Sequence, residues 1–310
     1  MKIFSGTSNP KLVEYICKNL NVPVGQVKLQ KFPSGEEHCQ FQENIRGADV
    51  FLVQSLSSPV NDNLMQLLLM ADAARRASAS RITAVIPYFG YCRQDRKDKP
   101  RVPISAKVVM DLLPVVGFNR ILTMDLHAAQ EQGFTNLPMD QLSFRPVLAA
   151  ALKEPVDCVV APDIGSVKRA DEYATALKAE LVIISKKRNS ATAVEVKHFI
   201  GDVEGKNCLI VDDLTESCGT LIEAATACRE NKAKTVQCAV SHGCFTVIGL
   251  NRLSDAFTDE TIDKIYVSNS VYTELNLYEK KISVVDISKL FATAIKNIHN
   301  NESVSELFRL

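Results

Sequence analysis

The feature that most constrains this sequence is a repeated alternation of short apolar segments with longer amphipathic ones. The short segments, such as "RITAVIP" and "NCLIV", are apolar at consecutive positions rather than at every second position. Strands of a parallel sheet that is covered on both faces have this pattern. The longer segments, such as "NDNLMQLLLMADAARRA", place apolar residues at helical spacing. The chain is therefore predicted to be an α/β protein, with mainly parallel sheets flanked by helices.

Strands are predicted in both halves of the chain, at 2–6, 49–55, 81–87, 120–125, 157–162, 180–185, 207–211, 235–241, 263–268 and 281–286. With 310 residues, the chain is long enough for two domains. "RILTMDLHAAQ" and "NCLIVDDLTES" both end a strand on aspartate before a helix, which favours an internal duplication with a boundary near 140–150. The amphipathic segment "ISKLFATAIKNIH" is predicted to pack back on a core.

Charge and cysteine usage limit the class of protein. Lysine plus arginine equals aspartate plus glutamate, at 36 each, which argues against a general binder of nucleic acid or membrane surfaces. The nine cysteines are odd in number, have no CxxC spacing and often lie in apolar segments. Reduced, buried thiols in a cytoplasmic protein are therefore expected. No apolar segment approaches the roughly 18 residues of a membrane span, and no cleavable leader is evident.

Two adjacent carboxylates, Asp212 and Asp213, follow the predicted strand 207–211. In parallel sheets, ligands collect at this end of the strands, and neighbouring carboxylates repel unless a cation or sugar hydroxyls engage them. A small hydroxylated turn then opens a helix, and it consists of Glu216, Ser217, Cys218, Gly219 and Thr220. Its backbone N–H groups and hydroxyls could hold a phosphate. The pattern fits a phosphorylated sugar, and equally a helix cap beside a solvated acidic turn.

Four further polar stretches follow predicted strands. The basic loop "YCRQDRKDKPRVP" at 91–103 suits polyphosphate oxygens. His127 follows strand 120–125, Asp163 follows strand 157–162, and a cationic stretch with Lys186 and Arg188 follows strand 180–185 and could form a mobile lid. Each stretch also has a structural interpretation as a solvated loop, a structural histidine or a helix cap. P-loop and dinucleotide-binding fingerprints are missing from the sequence.

In this order, these stretches resemble the ribose-phosphate pyrophosphokinases, which make phosphoribosyl pyrophosphate (PRPP). The resemblance covers essentially the whole chain, and its most specific parts are "NDNLMQLLLMADAARRASASRITAVIPYFGYCRQDRKDKPRVPISAK", "TMDLHAAQEQGF", "PDIGSVKRA" and "VDDLTESCGT". It implies two phosphoribosyltransferase-like domains related by internal duplication. The first would span 1–145 and be completed by a C-terminal helix at 287–310, and the second would span 146–286.

The resemblance also implies an activity. The pyrophosphoryl group of ATP would be transferred to the 1-hydroxyl of ribose 5-phosphate with Mg²⁺, and PRPP would feed nucleotide synthesis. One alternative is a non-catalytic regulatory relative, which would lose cationic and phosphate-turn residues that this chain keeps, such as Lys186 and Thr220. The other is a phosphoribosyltransferase that consumes PRPP, which would not need the "RQDRK" loop or a duplicated domain.

The resemblance gives roles in the second half of the chain. Asp212 and Asp213 would bind the ribose hydroxyls. The 5-phosphate would lie against the turn formed by Glu216, Ser217, Cys218, Gly219 and Thr220. Lys186 and Arg188 would be the catalytic residues and would close over the transferring group. Asp163, together with His127 of the first half, would engage Mg²⁺ directly or through water.

The resemblance gives roles in the first half as well. Arg93 and Gln94 would meet the phosphates of ATP. The stretch "FPSGEE" would bind adenine from a neighbouring subunit, through Phe32, Ser34 and Glu36. A site shared in this way implies a homo-oligomer, which is a hexamer in the family.

The chain departs from the usual family pattern at several of these positions. Glu216 is one methylene longer than the usual aspartate, and Ser34 stands where aspartate or asparagine is usual. Ser166 replaces a common glycine, and Thr246-Val247 replace a usual Ser-Gly pair. These differences bear on sugar affinity, nucleotide choice and regulation.

Overall fold

The computed structural model describes residues 1–187, 196–273 and 280–308, leaving aside the side chains of 186, 187, 196–198 and 308. The chain divides into two compact units. The first consists of Met1–Phe144, Ser270–Tyr272 and Asp286–Arg309, and the second of Arg145–Asn269 and Thr273–Val285. Each unit has its own buried apolar core between a sheet and its helices.

The first unit contains a parallel sheet and a separate hairpin. Its elements are β1 (Lys2–Ser5), α1 (Pro10–Leu20), β2 (Val27–Lys31), β3 (Glu37–Phe41), β4 (Asp49–Val53), α2 (Val60–Arg76), β5 (Arg81–Ile86), α3 (Ser105–Val116), β6 (Arg120–Met124), a 3₁₀ turn (Ala129–Phe134) and β7 (Met139–Leu142). The parallel sheet has the order β1-β4-β5-β6-β7. Strands β2 and β3 form an antiparallel sheet of their own.

The second unit contains a larger sheet. Its elements are α4 (Arg145–Ala151), β8 (Cys158–Ala161), a 3₁₀ turn (Ile164–Ser166), α5 (Val167–Leu177), β9 (Glu180–Lys187), β10 (Val196–Ile200), β11 (Asn207–Thr215), α6 (Gly219–Glu230), β12 (Thr235–Gly243), α7 (Val247–Thr258), β13 (Lys264–Ser268) and β14 (Ile282–Val285). The order is β10-β9-β8-β11-β12-β13-β14, and only the β9–β10 pairing is antiparallel.

The strand order of the second sheet reverses between β8 and β11. From β8 the chain builds outwards to β9 and β10 on one side, and then returns to place β11 on the other side. The loops that leave β8 and β11 therefore diverge and open a crevice at the carboxyl ends of these strands. The adjacent aspartates Asp212 and Asp213 lie at this point of the fold.

The final helix α8 (Ser288–Asn300) belongs to the first unit and packs on α1. Phe291 and Ile295 are completely buried on its apolar face. The Asn19 side-chain amide of α1 donates to Ser288 Oγ at 3.0 Å. The predicted return of this amphipathic segment to a core is confirmed. No helix in the described ranges is long and apolar enough to cross a membrane.

Every strand predicted from an apolar segment is present, and the prediction missed β2, β3, β7 and β10. The hairpin strands β2 and β3 contain partly buried and exposed residues and no fully buried ones, and their sequences "VKLQK" and "EHCQF" lack a continuous apolar segment. The two units share an order of elements, but the similarity between "RILTMD" (β6) and "NCLIVDD" (β11) does not follow it. By position in the two sheets, β6 corresponds to β13, and β11 corresponds to β4.

Candidate active site

The adjacent aspartates lie inside β11 and not beyond it, which corrects the predicted strand end at 211. Pairing between β11 and β8 covers only Cys208–Ile210, whereas pairing with β12 continues to Thr215. Asp212 and Asp213 therefore lie on a strand segment that borders the crevice. Asp213 is buried, and Asp212 is partly buried.

An arginine that the sequence analysis left without a role pairs with both carboxylates. Nη1 of Arg169, from the first turn of α5, is 3.1 Å from Asp213 Oδ1 and 3.4 Å from Asp212 Oδ1. Asp212 Oδ1 also accepts the Asp213 backbone N–H at 2.9 Å. Burial and the neighbouring Asp213 carboxylate raise the pKa of Asp212, and Arg169 partly offsets them. The signal for Arg169 was its place in "PDIGSVKRA", at the start of a helix that leaves the same crevice.

The turn at 216–220 after β11, called the anion cradle below, has the backbone features of an anion-binding site. Helix α6 begins at Gly219, so the N–H groups of Gly219 and Thr220 have no partner within the helix and are available to an anion. Cys218, at the N-cap, has a left-handed backbone with φ of 59°. Burial raises the pKa of its thiol, so the side chain stays neutral and does not repel a phosphate. Ser217 and Glu216 complete the turn.

Asp163 has the capping role that its sequence position left open. Its Oδ1 accepts the Ser166 backbone N–H at 2.9 Å, and Ser166 Oγ donates to the Asp163 carbonyl at 2.9 Å. The Asp163 side chain is exposed on the loop that follows β8. Because one carboxylate oxygen fixes the turn, the loop holds this acidic group in a defined place beside the crevice.

Lys186 lies on a strand, which differs from the predicted lid that would begin after 185. Its backbone belongs to β9 and is the register partner of Lys197 in β10. Ile183 of β9 pairs with Ala161 of β8, so Lys186, near the end of β9, and Asp163, just after β8, lie at the same edge of the sheet. Arg188 lies outside the described residues.

In the first unit, Arg93 and Gln94 follow β5, and His127 follows the neighbouring strand β6. Gln94 is tied to the start of α3, because its Oε1 accepts from Ser105 Oγ at 2.9 Å. Arg93 and His127 are exposed. Adjacent parallel strands therefore bring two of the predicted ligand-binding loops to one edge of the sheet.

A buried glutamate, which the sequence analysis did not single out, lies in the turn after His127. Glu131 is fully buried, and its Oε1 accepts the Ala128 backbone N–H at 3.1 Å. Burial raises its pKa to about 7, and interactions with the Cys92 thiol, the Ala128 amide and His127 only partly oppose this shift. The side chain thus joins the turn after β6 to the loop after β5. The sequence offered one indication of a buried glutamate: in "HAAQEQGF", Glu131 is the only charged carboxylate among alanine, glutamine, glycine and phenylalanine residues.

The three predicted adenine contacts lie in the turn between β2 and β3. Phe32 is 47% exposed, and its ring centroid is 5.4 Å from that of His38. Ser34 Oγ donates to Glu36 Oε2 at 2.7 Å. The turn end of this hairpin is held to α2, where Gln66 Nε2 donates to Glu37 Oε2 at 3.3 Å. The hairpin therefore presents an exposed aromatic ring with two polar side chains beside it.

Comparison with known protein families covers most of the chain. Residues 1–117 match the N-terminal domain of ribose phosphate pyrophosphokinase, and residues 191–309 match the phosphoribosyl synthetase-associated domain. The ribose-phosphate pyrophosphokinase of Clostridium perfringens is 43% identical over 315 residues, covering 100% of this chain and 98% of the relative. That of Chlorobaculum tepidum is 45% identical over 313 residues, covering 99% of this chain and 95% of the relative.

A solved structure agrees with these matches. The phosphoribosylpyrophosphate synthetase from Mycobacterium smegmatis superposes with a TM-score of 0.90 at 35% sequence identity. The match covers 97% of this chain and 99% of that one. Sequence and fold thus agree over nearly the full length, and the chain belongs to the ribose-phosphate pyrophosphokinase family of enzymes.

Proposed function

We propose that this chain transfers the pyrophosphoryl group of ATP to ribose 5-phosphate, giving PRPP and AMP. The 1-hydroxyl oxygen of the sugar attacks the β-phosphorus, and the bond from that phosphorus to the oxygen bridging the α-phosphorus breaks. AMP leaves with the bridging oxygen, and the hydroxyl proton is released. The observation that carries the proposal is the pairing of Asp212 and Asp213 with Arg169, next to the anion cradle at the start of α6.

Ribose 5-phosphate would be held at both ends. The carboxylates of Asp212 and Asp213 accept hydrogen bonds from ribose hydroxyls, in addition to their contacts with Arg169 and the Asp213 backbone N–H. The N–H groups of Gly219 and Thr220 bind the 5-phosphate at the positive end of the α6 dipole. Two fixed ends orient the 1-hydroxyl, and positioning of this kind supplies much of the catalysis in phosphoryl-type transfer.

The cationic residues would serve the triphosphate. Arg93 and Gln94 bind ATP phosphates from the loop after β5, where the exposed guanidinium has a planar fork suited to phosphate oxygens. Lys186 and Arg188 neutralise charge on the transferring group. The backbone position of Lys186, at the same sheet edge as Asp163, supports its part of this assignment.

Magnesium is the expected metal, and the donor set is compatible with it. Mg²⁺ is usually bound by one or two carboxylates together with substrate phosphates and water, so it needs no protein cage. Within the described residues, no group of three or more histidine, cysteine, aspartate or glutamate side chains could hold a metal ion. The exposed Asp163 carboxylate suits this arrangement, and the His127 imidazole suits contact through a metal-bound water. Bound Mg²⁺ would supply charge neutralisation on phosphate oxygens.

The adenine site would be completed between subunits of a homo-hexamer. The exposed Phe32 ring offers a stacking surface, and Ser34 and Glu36 offer hydrogen-bonding groups next to it.

An enzyme of nucleotide synthesis with nine free cysteines, most of them buried, fits the reducing cytoplasm.

The test is formation of AMP and PRPP by the purified protein from ATP, ribose 5-phosphate and Mg²⁺, with each component omitted in turn. Product that requires all three supports the proposal. Binding of both substrates without product would point to a regulatory relative. Consumption of PRPP in the presence of a free base, without its formation from ATP, would point to a phosphoribosyltransferase.

A further inference from the structure

Helix α7 begins directly against the turn that forms the anion cradle. Thr246, at the N-cap of α7, donates its backbone N–H to the Glu216 carbonyl at 3.1 Å. Its hydroxyl also donates to that carbonyl, at 3.2 Å, and accepts the Gly249 backbone N–H at 3.1 Å. One threonine therefore caps α7 and holds the first residue of the cradle turn at the same time.

The backbone of α7 also approaches this turn more closely than a side chain would permit. A β-carbon placed on Gly249 would lie 2.0 Å from the Glu216 carbonyl oxygen and 3.2 Å from Ser217 Cα. Such distances exclude any larger residue unless the backbone shifts. Thr246 and Gly249, on one turn of helix, thus fix the Glu216 carbonyl by hydrogen bonds and by direct packing.

The cradle turn needs external support. Cys218 has a β-carbon and a left-handed φ of 59°, a conformation that is unfavourable for most residues other than glycine. Only Glu216 and Ser217 lie between the end of β11 and this residue. If the Glu216 carbonyl were free to rotate, the peptide units that follow it would be free to relax away from the strained conformation.

We propose that Thr246 and Gly249 are positioning residues for ribose 5-phosphate. They hold the Glu216 carbonyl so that the N–H groups of Gly219 and Thr220 face the phosphate before it binds. A site ordered in advance has less entropy to lose on binding, so the support increases affinity for the sugar phosphate. This inference rests on the function proposed above, and it assigns a role to residues of α7 that contact the cradle without contacting the substrate.

The central experiment compares three threonine variants. Thr246→Val keeps the shape and removes the hydroxyl, Thr246→Ser keeps the hydroxyl, and Thr258→Val removes an exposed hydroxyl that donates to the Ser254 carbonyl at 2.9 Å in the same helix. Thr246→Val should raise the KM for ribose 5-phosphate by roughly three- to tenfold, the value of one hydrogen bond. The KM for ATP should stay within about twofold, since the cradle does not serve ATP. Thr246→Ser and Thr258→Val should both resemble the unmodified enzyme in both constants.

A purely structural cap would behave differently. In that case Thr246→Val would lower the midpoint of thermal unfolding and leave the KM for ribose 5-phosphate unchanged, which would overturn the inference. Asp212→Asn, in the sugar site itself, separates this failure from a failure of the proposed function. If Asp212→Asn weakens sugar binding and Thr246→Val does not, only the positioning role is wrong. If neither variant affects ribose 5-phosphate, the sugar lies elsewhere, and both ideas fail.

A measurement on the unmodified enzyme covers the case in which Thr246→Val does not fold. Amide hydrogen exchange of the segment 244–250 is followed with ribose 5-phosphate or with AMP added. The Thr246 N–H donates to the Glu216 carbonyl of the cradle, and the Gly249 N–H donates to the Thr246 hydroxyl. Occupation of the cradle by ribose 5-phosphate should therefore slow the exchange of both N–H groups, and AMP should not. Equal exchange with and without ribose 5-phosphate, at a concentration that saturates the site, would overturn the inference.

Discussion

The two units use the same order of elements and fill equivalent positions with different chemistry. After β4, Gln54 and Ser55 occupy the places that Asp212 and Asp213 occupy in β11, and the surrounding segments "DVFLVQSL" and "NCLIVDDL" match in pattern. Gln54 is buried, its Nε2 donates to Gln66 Oε1 at 2.8 Å, and its Oε1 accepts the Ser8 N–H at 3.0 Å. In the first unit, this position therefore holds a buried amide with hydrogen bonds inside the protein. In the second unit, the same position holds carboxylates that border the crevice.

The pair of antiparallel strands that follows α1 in the first unit and α5 in the second explains part of this difference. In the first unit, β2 and β3 form a separate sheet beside α2, so β1 stays at the edge of the main sheet. In the second unit, β9 joins the main sheet next to β8 and extends it through β10. Only the second arrangement reverses the strand order and opens a crevice next to the aspartates. The placement of one hairpin thus decides which unit offers a binding crevice on a shared framework.

The largest expected effect concerns the hairpin of the second unit. Lys186→Ala should lower kcat by at least roughly 100-fold, because removal of a charge that stabilises a transition state typically costs this much. The KM for each substrate should change far less. The measurement is steady-state formation of AMP. Lys232→Ala is the control, since Lys232 is an exposed lysine paired with Glu204 and lies at the opposite end of α6 from the cradle turn. A kcat within threefold of the unmodified enzyme would remove Lys186 from the catalytic role.

The next prediction separates the ligands of the two units. Asp212→Asn should raise the KM for ribose 5-phosphate by roughly tenfold or more, because a charged hydrogen-bond acceptor is replaced by a neutral amide. Arg93→Ala should instead raise the KM for ATP. Each variant is the control for the other in the same assay. A similar effect of both variants on both substrates would contradict the assignment of sugar to one unit and triphosphate to the other.

Arg169 provides a third, pH-dependent test of the aspartate pair. Arg169 lowers the pKa of Asp212 against the effects of burial and of Asp213. Arg169→Met should therefore raise that pKa further and move the acid limb of kcat/KM for ribose 5-phosphate to higher pH, since activity that needs the carboxylate is lost as pH falls through its pKa. Arg169→Lys keeps the charge and should restore part of the shift. An acid limb at the same pH in Arg169→Met and the unmodified enzyme would show that the pair does not titrate with activity.

The sequence predicted the framework and the strands that carry most of the candidate site residues, for reasons visible in particular elements. Continuous apolar segments such as "NCLIV" are specific to covered parallel strands, so the main strands of both sheets were found. The hairpin strands β2 and β3 have no continuous apolar segment, so the sequence did not predict them. The end of β11 was placed too early, at 211, because pairing with β12 to Thr215 depends on a neighbouring strand and not on local hydrophobicity. The pairing of Arg169 with Asp212 and Asp213 also depends on tertiary structure, because it requires α5 to pack against β11. Local sequence therefore does not predict it.

The last expected effect is on stability and not on activity. It concerns Glu131 and tests whether the first unit tolerates a buried charge as the second does. Its folded-state pKa is raised to about 7, above the ordinary value of 4.5 that applies when the chain unfolds. The folded state therefore binds more protons between these pH values, so its stability falls as pH rises through them, and the cost is complete above about pH 7. The shift corresponds to a cost on the order of 3 kcal/mol.

Glu131→Gln removes this titration and keeps an acceptor for the Ala128 N–H. The variant should therefore unfold at a higher urea concentration than the unmodified protein at pH 8, and the difference should shrink towards pH 5, where the carboxyl is protonated in the folded state. Glu14→Gln, on the exposed face of α1, is the matched control and should change the midpoint little at either pH. A Glu131→Gln midpoint that is no higher at pH 8 would mean that the first unit neutralises this carboxylate, as Arg169 partly does for the aspartates of the second unit.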